Sequence, residues 1–176
     1  YIKTYHPSAE FTRLAKLNLA YYAPAAFYGF KNSNKFYGDR KAFARNIESW
    51  NKIKDSLFAG IELSNDEATC VFNYRDLLSD LLLREKEALW TDAYLHPAAF
   101  YKEWYNTDST TGRALFNEDM QNLLTEKIIQ RYLKGKAAEM AYASLLQSAR
   151  EGSNPQNIVN IYNRFTSLYP ASKFKN

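Results

Sequence analysis

Apolar residues recur along the chain at steps of three and four, the period of one face of a helix. Ser8 is a candidate N-cap, and Phe11, Leu14, Leu17 and Leu19 predict a helix to about Tyr22, which Pro24 should end or kink. Residues 29–38, with two glycines around Lys31-Asn32-Ser33-Asn34-Lys35, read as an exposed loop. Asp39 can cap a second helix with the stripe Phe43, Ile47, Trp50, Ile53 and Leu57, ending before Gly60. Ser64-Asn65-Asp66-Glu67 has the form of a capping box, and the helix it opens should run to about Trp90. That helix is apolar on more than one face at Leu77-Leu78 and Leu81-Leu82-Leu83, which places it centrally.

The second half reads similarly. Residues 91–112 are aromatic and irregular, with a short helix after Pro97. Asn117 is a candidate cap for a helix bearing Met120, Leu124, Ile128 and Tyr132, and Gly135 should break it. A helix over about 136–150 follows at once, as in an antiparallel helical hairpin or one kinked helix. Gly152-Ser153-Asn154-Pro155 stops one helix and starts another, with Asn154 as N-cap and Pro155 at the first helical position. The last helix carries Ile158, Ile161, Tyr162, Phe165 and Leu168 and ends before Pro170. The expectation is an all-α bundle of six or seven helices, residues 1–176 forming one domain. Its C-terminal helices have the lengths of tetratricopeptide-like hairpins.

Composition narrows this further. The 176 residues include six glycines, five prolines and only two valines, Val71 and Val159, too few for a sheet protein of this size. A net charge of +4 without a clustered basic patch gives no nucleic-acid footprint. No apolar run approaches the length of a membrane-spanning helix.

Candidate chemistry is sparse. His6 and His96 lie far apart with no acidic residue at metal-ligand spacing, so no metal or cofactor is expected. The single cysteine, Cys70, has no Cys-x-x-Cys partner, sits among apolar neighbours and is expected to be a buried structural residue. Asp76/Asp80 and Glu85/Glu87, near Arg75 and Arg84, read as solvated helix faces. Gly-rich phosphate loops, nucleophile elbows and zinc-protease motifs are missing, so catalysis by this chain alone is not expected. The aromatics form two clusters, one over Tyr21–Tyr37 and one over Trp90–Tyr105. Buried, they are large core residues. Exposed, they would form a partner or glycan surface, and Tyr101, Trp104 and Tyr105 are its candidate residues.

One stretch carries a resemblance. Tyr132-Leu133-Lys134-Gly135-Lys136 with the Ala/Tyr-rich helix to Ala143, then Ile161-Tyr162-Asn163-Arg164-Phe165 and Tyr169-Pro170-Ala171-Ser172-Lys173-Phe174, resembles the helical region before the thioredoxin-like domain of envelope thiol–disulfide oxidoreductases of the TlpA/ResA type. It covers about the last 45 residues. The resemblance implies a non-catalytic accessory domain in the cell envelope or periplasm, cut from a longer protein. The start at Tyr1 and the apolar/basic ending fit that expectation. The implied partners are a downstream thioredoxin-like domain and a substrate protein. The Cys-x-x-Cys of that family has no counterpart here, so no catalytic residue is carried over. The alternative is a helical binding module that takes a glycan or a protein on exposed aromatics.

Overall fold

A computed structural model describes residues 6–37, 40–149 and 154–175, with the backbone alone for 31–37, 40–47 and 175. The described residues form eight α-helices and two short 3-10 helices, and no strand. In chain order they are α1 (Ala9–Tyr37), α2 (Arg40–Phe58), a 3-10 turn (Asp66–Cys70), α3 (Phe72–Leu95), α4 (Pro97–Tyr105), α5 (Ser109–Glu118), α6 (Asn122–Tyr132), α7 (Gly135–Ser148), α8 (Pro155–Leu168) and a second 3-10 turn (Lys173–Lys175). They gather into two compact units, one ending at Leu81 and the other beginning at Leu82, with the division inside α3. The all-α reading therefore stands, with eight helices among the described residues where six or seven were expected.

In the first unit, α1 starts as expected. Ser8 Oγ accepts the Phe11 N–H at 3.1 Å, satisfying one of the free donors of the first turn. Pro24 neither ends α1 nor opens a loop; it lies fully buried inside a 29-residue helix. An interior proline costs a helix about 3 kcal/mol through its missing N–H and its ring. Tertiary packing offsets that cost. Tyr21, Ala25, Phe27 and Tyr28, on either side of Pro24, are all buried. Phe27 and Phe30 both pack on Trp50 of α2, at 5.3 and 5.5 Å between ring centroids, and Tyr28 meets Phe58 edge-on at 5.0 Å. The helix continues to Tyr37, across residues where the glycine and asparagine content predicts a loop. Asp39 and the side chains of Phe43 and Ile47 lie outside the described residues. Of the other members of the α2 stripe, Trp50 and Leu57 are half-buried and Ile53 is exposed.

The turn before α3 is also built differently from the sequence expectation. Asn65, not Ser64, is the cap: its side-chain oxygen accepts the Glu67 and Ala68 N–H groups, and it opens a single 3-10 turn. Two buried tyrosines pin this segment. Tyr74 OH donates to Leu63 O at 2.6 Å, and Tyr21 OH donates to Glu62 O at 3.0 Å. Their rings meet edge-on at 4.8 Å. Desolvation pushes the Tyr74 hydroxyl up to about 12. Cys70 ends the 3-10 turn and is exposed, its Sγ on Glu67 O at 3.2 Å. The expectation of a buried cysteine fails because the helix begins two residues later, at Phe72, so Cys70 belongs to no helical core face.

In the second unit, residues 91–112 are mostly helical, since α3 continues to Leu95 and α4 and α5 follow. Asn106 adopts the left-handed conformation (φ 51°) and closes α4 by donating its backbone N–H to Lys102 O. Asp108 caps α5 by accepting the Thr110 and Thr111 N–H groups. The core combines Leu89, Ala93, Phe100, Tyr101, Phe116, Leu124 and Ile128. Gly112 allows α5 to approach α4, because a Cβ there would lie 2.5 Å from Tyr101 Cβ. Asn117 does not cap α6: the cap position is Gln121, which makes no side-chain cap bond, and Asp119 accepts the Gln121 and Asn122 N–H groups in the turn before the helix. Asn154 and Pro155 open α8 as expected. The helices α6, α7 and α8 all touch one another. A buried polar network crosses them. Glu126, 4% exposed, accepts two bonds from the Arg164 guanidinium, one of them from Nε at 2.8 Å. Tyr142 OH adds a third at 3.3 Å and itself accepts from Gln130 Nε2 at 2.9 Å.

Candidate functional site

The three aromatics singled out by sequence fall in different settings. Tyr101 is 2% exposed and packs against Phe100, Tyr105 and Phe116, so it is a core residue and offers no face to a partner. Trp104 is half-buried and its ring is already covered, with the Arg131 guanidinium carbon 4.4 Å from the ring centroid. Glu103 holds that guanidinium at 2.7 Å. Tyr105 carries Lys127 Nζ over its ring at 4.6 Å, and the same ammonium donates to Trp104 O at 3.1 Å. Its hydroxyl is buried with no hydrogen-bond partner, and desolvation pushes it up to about 12. Arg131 and Lys127 thus occupy the two rings in place of a ligand.

A concave site lies in the first unit. It is a cleft of about 390 Å³ lined by Tyr22, Ala25, Ala26 and Gly29 of α1 and by Phe72, Asn73, Asp76, Ser79 and Asp80 of α3. Both sets follow helical spacing, so each helix contributes one continuous face. Small residues on α1 leave the space: a Cβ on Gly29 would lie 3.7 Å from Asp80 Oδ2. Contacts run from Asn18–Asn73 at one end to Gly29–Asp80 at the other, advancing in the same direction along both helices. The aromatic end is open, with Tyr22 60% and Phe72 69% exposed. The other end carries the carboxylates, Asp76 exposed and Asp80 half-buried, one turn apart on the same face.

Nothing in the sequence isolates this cleft. Tyr22 was legible as part of an aromatic cluster, and Asp76 and Asp80 as a solvated face. Their juxtaposition depends on how α1 and α3 meet. His96 lies elsewhere, exposed, with Nδ1 2.8 Å from Asp92 one turn earlier. Among the described residues no group of three His, Cys, Asp or Glu side chains is placed to hold a metal ion. No described helix is long and apolar enough to cross a membrane. Comparison with known proteins adds no relative: no family model, no curated protein and no solved structure matches the chain.

Proposed function

We propose that the chain is a helical accessory domain that binds a partner protein rather than carrying out chemistry of its own. The cleft between α1 and α3 is the observation that supports this reading. It sets two exposed aromatic rings, Tyr22 and Phe72, at the mouth of a groove on helical backbone. Large exposed rings on rigid elements are the usual anchors of protein recognition, because they bury much apolar area at small conformational cost. Replacing Phe72 by a photo-crosslinking amino acid in the producing cell tests it. A discrete crosslinked partner, lost in Tyr22→Ala, is the expected result. Crosslinking no greater than from a probe at Val159, exposed on α8, would sink the reading.

The parent protein, on this proposal, is an envelope thiol–disulfide oxidoreductase in which a thioredoxin-like domain follows these helices. The resemblance of residues 132–174 supports that placement. The last helices are then read as a tetratricopeptide-like arrangement. The two-residue connection Leu133-Lys134 between α6 and α7, and the contacts of both with α8, support it. Reading the gene beyond Asn176 is the test, and a continuation without a Cys-x-x-Cys thioredoxin domain would remove it.

A further inference from the structure

We draw no further inference here: the strongest candidate, the side-chain cluster of the second unit in which the Lys86 ammonium of α3 meets the Trp90 ring and Gln121 Oε1, rests on desolvation lowering the lysine pKa alone, and nothing else at it points to a ligand.

Discussion

Asn18 and Asn73 exchange two hydrogen bonds across 55 positions of sequence. The Asn73 N–H donates to Asn18 Oδ1 at 3.0 Å, and Asn73 Nδ2 donates to Asn18 O at 2.9 Å. The first of these replaces a missing cap. Val71 occupies the capping position of α3: its backbone is extended and its carbonyl accepts the Arg75 N–H, but it has no side-chain acceptor. Asn18 supplies that acceptor from α1. The same pair fixes one end of the cleft.

Asn18→Ala should therefore behave as the loss of a helix cap and cost about 1–2 kcal/mol of stability. Asn18→Asp keeps an acceptor at a helix N-terminus and should cost much less. Urea unfolding of the two variants checks this, and equal midpoints for Asn18→Ala and wild type would refute the cap.

Gly112→Ala offers a test by sign. In an ordinary helix the change stabilises by up to about 1 kcal/mol. Here the new Cβ would sit 2.5 Å from Tyr101 Cβ, an atom fixed to the α4 backbone. The expected result is destabilisation by about 1–3 kcal/mol, the range of overpacked cores. A raised melting temperature would show that α4 and α5 can move apart at no cost.

Arg164→Met strips the partner from a carboxylate that is 4% exposed. Breaking a fully enclosed pair costs roughly 3–5 kcal/mol. The Arg164 side chain is 44% exposed, so the loss should fall below that range. Glu126→Leu/Arg164→Met, which removes both charges, should recover part of the stability, because no unpaired carboxylate is left behind. Denaturation of the single and double variants decides it; a double variant weaker than Arg164→Met would overturn the argument.

Alkaline pH should weaken the fold through its buried tyrosines. Desolvation raises Tyr74, Tyr105 and Tyr142 from the ordinary value of 10.0 to about 12. The folded chain thus keeps protons that the unfolded chain releases at lower pH. Their contribution is complete below about pH 10 and is lost as pH climbs toward about 12. Absorbance at 295 nm should show a late group of tyrosines whose ionisation coincides with loss of helical circular dichroism. A single transition with the fold intact would contradict the burial.

Much of the architecture can be read from local pattern. The interval of apolar residues marks α6 and α8, where Leu124, Ile128, Ile161 and Phe165 are all fully buried. Ser8 and Asn154-Pro155 mark helix starts, because a cap acts on donors two or three residues away. The scarcity of valine and glycine points to helices for the same local reason. Other features depend on distant partners. Pro24 lies inside α1 with the Tyr74 ring of α3 packed on Tyr21 before it and rings of α2 packed on Phe27 and Tyr28 after it, contacts that no neighbour in sequence reveals. Trp104 and Tyr105 resemble a binding surface along the chain, until Arg131 and Lys127, more than 20 positions later, cover their rings. The cleft itself joins residues 22–29 to residues 72–80. Short-range propensity and periodicity thus mark the all-α class and several helices such as α6 and α8, whereas helix through residues 29–37 and 91–112, ring exposure and the pairing of carboxylates with aromatics are decided in the tertiary structure, where packing energies can exceed local preferences.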